Sequence, residues 1–231
     1  MRAAFSILKL FLFGLWSFIG ISIAAFLYLI RVKNGMEWIA KYYWAPVVLP
    51  ILQGRVSAEN LERIDPEQPY LIMANHNSFI DIPALFRTMP FYTYFIAKKE
   101  IRKTPMLGWY IEAYGMIYID RSDRKKAKQS IAEAGKLIAA GKRVIIFPEG
   151  TTSKDGEIGT FKKGGMHLAL ASESTILPVR IKGSRRLWPS NNYFNLRSSK
   201  VEVIIGEPIP YRAYKDRELE DFLTDLRQQI I

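Results

Sequence analysis

The residues best placed to do chemistry in this chain are His76 and Asp81, five positions apart in Asn75-His76-Asn77-Ser78-Phe79-Ile80-Asp81. A turn of that length can fold the carboxylate back onto the imidazole. The carboxylate then accepts the Nδ1 proton, fixes the tautomer and supports the imidazolium that forms. Nε2 is left to take a proton from an incoming hydroxyl. A lone histidine near a strand end is more often structural, and His/Asp pairs at this spacing arise by chance. The pair therefore needs support from elsewhere in the chain.

Two further segments supply it. Phe147-Pro148-Glu149-Gly150-Thr151 sets turn-forming residues around an acid. Gly150 permits a tight turn and close backbone approach. Amides in such a turn can donate to an oxyanion or a phosphate, and Glu149 offers an acceptor to a substrate hydroxyl. Taken alone, this segment reads as an ordinary strand-ending turn. Arg121 closes the run Gly115-Met-Ile-Tyr-Ile-Asp-Arg121, and its guanidinium suits a phosphate clamp. Lys98 or Lys99 can add positive charge. His167 lies in an apolar helical stretch and reads as structural.

These side chains need a scaffold that brings distant segments to one edge. Tyr70–Ala74, Tyr94–Ile96, Met116–Ile119, Val144–Phe147, Ile176–Ile181 and Val201–Ile205 read as strands. Asp81–Met89, Ile101–Tyr114 (broken near Pro105 and Gly108), Asp123–Ala140, Gly165–Ser172 and Arg217–Gln229 read as helices, with Gly141 a stop signal for the third of them. Leu187–Ser199 reads as a loop. The alternation predicts an α/β fold, with a mixed, largely parallel sheet flanked by helices. His76, Arg121 and Glu149 then each follow a strand, at the carboxyl ends where α/β sheets collect their chemistry.

Ahead of this domain, Leu10–Ile30 is a run of 21 residues without a charge, flanked by Arg2, Lys9, Arg31 and Lys33. It is long enough to cross a hydrocarbon core as a helix, and too long for a typical signal peptide, which is the rival reading. A second apolar stretch, Met36–Leu52, holds Trp38, Tyr42, Tyr43 and Trp44, aromatics that favour the headgroup level of a bilayer. Pro46 and Pro50 predict a bend or stop there. The stretch fits either the second arm of a hairpin dipping into one leaflet or a helix packed on the domain. Residues 1–54 are thus expected to be a membrane-anchoring helical segment and 55–231 the catalytic domain.

Composition narrows the classes. There are no cysteines, which excludes disulfides, thiolate metal sites and a Cys nucleophile. With two histidines, a His-rich metal site is not expected. The net charge is +11; residues 1–53 hold five cations and one anion, so +4 lies there and +7 beyond. A basic surface can meet nucleic acid, anionic lipid or a phosphate-bearing substrate. No nucleic-acid motif is present, and the apolar N-terminus favours lipid.

Taken together, His76-x4-Asp81, Gly115–Arg121, Phe147–Thr151 and Ile176-Leu177-Pro178-Val179 stand in the order and roughly the spacing of the four blocks of the glycerolipid acyltransferase family. The chain resembles that family from about Tyr70 to Pro208. The resemblance implies transfer of a fatty acyl group from acyl-CoA or acyl carrier protein, as co-substrate and with no cofactor, to the sn-2 hydroxyl of lysophosphatidate. It implies His76 as general base, Asp81 as its orienting partner, and no covalent acyl-enzyme. It implies Arg121, helped by Lys98, on the acceptor phosphate, and Glu149, Gly150 and Thr151 positioning the acceptor, with Pro178 shaping the site from below. A cytosolic thioester donor places the domain on the cytoplasmic face of the membrane. One departure stands out: many lysophosphatidate enzymes carry Glu-Gly-Thr-Arg in the third block, whereas Thr152 follows Thr151 here. Lys154, Lys162 or Lys163 are candidate replacements. Another lysolipid, such as lyso-ornithine lipid or lysophosphatidylcholine, is the alternative acceptor. A non-catalytic membrane lipid-binding protein is the alternative of another class, and the intact His76 and Asp81 argue against it.

Overall fold

The computed structural model describes residues 2–120, 123–153, 155–192 and 194–231. The chain opens with α1 (Arg2–Leu29), a helix of 28 residues. At 1.5 Å per residue it is about 42 Å long. The chain turns at Asn34 and runs back as α2 (Gly35–Trp38), a π-helical stretch Ile39–Trp44, and α3 (Ala45–Ile51). The expected break at Pro46 does not occur. Proline removes one backbone donor, and the wider π turn just ahead of Pro46 absorbs the mismatch, so the helix continues through Pro46 and Pro50.

The two arms of this hairpin pack on each other and on the domain. Trp16 stacks on Tyr43 with centroids 4.5 Å apart, and the Trp44 indole donates to Ser17 Oγ at 2.9 Å. Lys9 Nζ donates to Gln53 Oε1 at 2.7 Å across the hairpin. The contact with the domain runs from Phe13 to Tyr28 of α1. Phe13 meets Phe79 and Trp188 edge-on at 5.7 and 5.6 Å. Tyr28 meets Trp109 edge-on at 5.8 Å near the other end. The remaining face of α1, with Phe5, Phe11, Leu15, Phe18 and Phe26, is exposed.

The domain follows as β1 (Gly54–Glu59), β2 (Tyr70–Ala74), α4 (Asp81–Thr88), β3 (Thr93–Lys98), α5 (Leu107–Tyr114), β4 (Ile117–Ile119), α6 (Arg124–Ala139), β5 (Arg143–Ile146), α7 (Lys163–Ser172), β6 (Thr175–Lys182), α8 (Ser184–Leu187), β7 (Ser199–Ile205) and α9 (Leu219–Ile230). The described strands form one sheet in the order β1-β7-β6-β2-β5-β3-β4. Neighbours run parallel except β6 and β7. The sheet is therefore mixed and largely parallel, as expected.

Strand β2 lies at its centre with all five residues buried, because helices cover both faces of a parallel sheet. Its C-terminal end therefore opens between β5 and β6. The expected strands and helices occur with ends shifted by a residue or two, except Ile101–Tyr114, whose first part is a 3-10 turn, Lys99–Lys103, and whose α-helix begins at Leu107, beyond the break expected near Pro105. The sequence reading missed β1, which is half-exposed and pairs only with β7, 145 positions away.

Candidate active site

His76 sits just past the end of β2, and three backbone contacts set its position. Asn75 extends the sheet with its side chain: Nδ2 donates to Ile181 O at 2.9 Å, and Oδ1 accepts from Ile181 N at 2.6 Å. The carboxamide thus continues the β2–β6 ladder where the backbone leaves it. The carbonyl of His76 accepts from Ser153 N at 2.8 Å. Its amide donates to Glu149 Oε1 at 2.7 Å. Neither Asn75 nor Ser153 was singled out from the sequence; the Asn beside the histidine was the only signal.

The imidazole is fixed from two sides. Its Nδ1 lies 2.9 Å from Asp81 Oδ2, and its ring stacks on Phe147 at 3.9 Å with planes 11° apart. Asp81 opens α4 and is fully buried, and the same Oδ2 accepts from the amides of Asn77 and Ser78 at 2.7 and 2.9 Å. An oxygen that gathers two amide donors acts as an acceptor, so Nδ1 carries the proton and Nε2 presents its lone pair. Among the described residues Nε2 has no hydrogen-bond partner, and the imidazole is partly open, at 17% exposure. Ser78 Oγ donates to Trp188 O at 2.6 Å, which ties this loop to the segment after α8.

The second motif braces the first. Gly150 N donates to Phe147 O at 2.9 Å, closing a turn with Pro148 and Glu149 at its centre, and Gly150 takes φ 77°. That amide is therefore spent on the turn, which leaves less for the oxyanion role read from sequence. Glu149 is buried, and its carboxylate bridges two backbone amides: His76 at 2.7 Å and Gly159 at 2.9 Å. Burial raises its pKa above the usual carboxylate value, and the two amide donors oppose this without cancelling it. The sequence reading gave this carboxylate to a substrate hydroxyl; the fold turns it toward the backbone that carries His76. Thr151 is exposed at the mouth of the turn.

The expected basic residues fall into three groups. Lys98 ends β3 with its side chain exposed, in register with Ile119 of β4. Lys99 instead pairs with Asp120 at 2.8 Å. Arg121 and Lys154 lie outside the described residues. Lys163 is drawn to Glu220 of α9 at 2.5 Å, while Lys162 is exposed ahead of α7. Pro178 is buried in β6, beside Met73 of β2, and its carbonyl accepts from Gly206 N at 2.8 Å. It supports the sheet below His76. His167 lies on the exposed face of α7. Among the described residues, no group of three or more His, Asp or Glu side chains is gathered to hold a metal ion.

The site so built can take a proton from a hydroxyl at Nε2, close to an apolar helix. Known proteins resemble this chain. A family model described as Acyltransferase matches residues 55–182. A Chlamydomonas reinhardtii protein described as a 1-acyl-sn-glycerol-3-phosphate acyltransferase is 33% identical over 163 residues, 70% of this chain and 48% of its own length. A Saccharomyces cerevisiae protein of the same description is 29% identical over 221 residues, 93% of this chain and 71% of its own. An uncharacterized acyltransferase of Schizosaccharomyces pombe is 32% identical over 196 residues, 83% of this chain and 69% of its own. This chain spans about half the length of the first algal and plant relatives it matches. Among solved structures, the 1-acyl-sn-glycerophosphate (LPA) acyltransferase of Thermotoga maritima aligns over 100% of this chain and 95% of its own, with a TM-score of 0.82 and 25% identity.

Proposed function

Because this chain belongs to the acyltransferase family, we propose that it transfers a fatty acyl group from acyl-CoA or acyl carrier protein to the sn-2 hydroxyl of lysophosphatidate, giving phosphatidate. The observation that carries the reading is the His76–Asp81 pair, with Nδ1 on a buried carboxylate and Nε2 without a hydrogen-bond partner among the described residues. In the reaction Nε2 takes the hydroxyl proton as the oxygen attacks the thioester carbonyl. The tetrahedral intermediate collapses with loss of the C–S bond, and the imidazolium returns the proton to the leaving thiolate. Asp81 stabilises the imidazolium between those steps. Glu149 holds the backbone of His76 in place. Arg121, two positions after β4 in the sequence, and Lys98, at the end of β3, bind the acceptor phosphate.

Residues 1–54 anchor the protein and residues 55–231 catalyse. The contacts of α1 support an anchor that lies along the membrane surface. Phe13 and Tyr28 both touch the domain, and they are separated by about 22 Å of helix. A helix crossing upright would carry the domain through most of the hydrocarbon core, about 30 Å thick. A cytosolic thioester donor places the domain on the cytoplasmic leaflet.

Thr152 favours a second reading, in which the same chemistry serves another lysolipid, lyso-ornithine lipid or lysophosphatidylcholine. The test is a side-by-side panel of acceptors with each labelled donor, read by mass spectrometry of the product. Phosphatidate as the main product is expected. None from lysophosphatidate with either donor would end that assignment and leave the acyl transfer to be judged on the other acceptors.

A further inference from the structure

We propose that the segment from Lys99 to Trp109 is a second membrane-contact element, which inserts Met106, Leu107 and Trp109 among lipid headgroups. The proposal rests on the reading of α1 as a surface-lying anchor.

The segment is held by a set of hydrogen bonds that leave these side chains exposed. A 3-10 turn, Lys99–Lys103, leads into it, and Thr104 N closes on Ile101 O at 2.9 Å. Leu107 N then donates to Pro105 O at 2.6 Å across Met106, which takes φ 60° and ψ −49°. That is the rare, strained form of the γ-turn, here at a residue with a bulky side chain. Gly108 fits beneath it so closely that a Cβ would lie 2.2 Å from Arg102 O. The Tyr118 hydroxyl donates to Gly108 O at 2.9 Å, and Arg102 grips Glu112 through two nitrogens at 3.1 and 2.6 Å. The surroundings thus over-determine a strained turn, and the outcome is exposure of Met106, Leu107 and Trp109.

Two observations select a lipid surface as the occupant. The first is continuity. Trp109 meets Tyr28 of α1 edge-on at 5.8 Å, so the three side chains adjoin the end of α1, where Tyr28, Leu29 and Ile30 are exposed. The second is charge. Lys103 is exposed one turn before the apolar tip, where anionic headgroups would meet it, while Lys99 and Arg102 are paired with Asp120 and Glu112. Trp109 has the amphipathic ring favoured at that depth.

The chain has no cysteine, so single labels are simple to place. Met106→Cys, Leu15→Cys in α1 and Gln228→Cys in α9 would each carry an environment-sensitive fluorophore in the full chain. The probes are vesicles of phosphatidylcholine with phosphatidylglycerol, with or without lipid-borne spin quenchers. A blue shift and quenching at positions 15 and 106, with neither at 228, is expected. A response at 15 without one at 106 overturns the proposal and leaves the anchor intact. No response at 15 or 106 overturns both. The same shift at 106 without vesicles assigns the patch to protein contact and overturns the proposal as well.

Discussion

The amide of His76 donates to the carboxylate of Glu149 at 2.7 Å, and this one bond joins two motifs 73 residues apart. Glu149 reaches on to Gly159 with its other oxygen. The acid of the second motif therefore sets where the histidine of the first one sits. Phe147, from the same turn, covers the face of the imidazole.

His76→Ala removes the proposed base. Turnover should fall by about 10²–10⁴-fold, the usual range for a positioned general base. Folding and vesicle binding should persist, since Asn77 and Ser78 still anchor the loop on Asp81. Circular dichroism, vesicle flotation and acyl-transfer rates check this, and unchanged turnover would remove His76 from the mechanism.

Asp81→Asn tests the partner. Oδ1 of Asp81 is buried without a hydrogen bond, so an amide fits there at a cost of about 1–3 kcal/mol for an unsatisfied group. The negative charge is lost, and with it the support for the imidazolium. A fall in kcat of roughly 10³–10⁴-fold with the fold retained is expected by analogy with other His–Asp pairs. A variant with nearly full kcat would show that the charge is dispensable.

Glu149→Gln separates a bracing role from a substrate contact. Glutamine keeps one acceptor but turns a donor toward the second amide, costing about 1–3 kcal/mol. If Glu149 acts through the backbone of His76, kcat drops while KM for the acceptor stays near its original value. A rise in KM with kcat preserved would assign the carboxylate to the acceptor instead.

The same residue gives a pH signature. Burial raises the Glu149 pKa in the fold above its unfolded value of about 4.5. The folded state then holds the proton more tightly, so this group's contribution to stability is greatest below 4.5 and is lost as pH rises through the raised value. Denaturant melts of the parent and Glu149→Gln across that window should show the parent's advantage shrinking as pH increases. A constant difference would mean that Glu149 ionises in the fold as it does in water.

Asn75→Ala should destabilise the domain by about 2–3 kcal/mol, since two buried hydrogen bonds to Ile181 are lost and its backbone groups are left unpaired. The fraction that folds should keep measurable activity. Urea melts with parallel assays decide; an unchanged midpoint would deny Asn75 its place in the ladder.

What sequence revealed depended on how local the signal was. The strand Tyr70–Ala74 and the helix capped by Asp123, whose side chain takes the amides of Lys125 and Lys126, carry their signals within a few residues. Strand β1 does not, since its residues are half-exposed and its only partner is β7. The helix through Pro46 was hidden because a π turn cancels a rule that treats each proline alone. His76 and Asp81 were legible from their spacing. Glu149 was legible as important, but its direction was not, because the amides it holds belong to His76 and to Gly159 beyond the turn.

The long seam between α1 and the domain has a kinetic consequence. Phe79 of the His76–Asp81 loop rests on Phe13, so the proposed surface orientation of α1 brings that loop within reach of the lipid plane. A lysolipid can then arrive by lateral diffusion without leaving its leaflet. The rate should follow the acceptor's mole fraction in the membrane and fall when inert lipid is added at constant total acceptor, as in surface dilution.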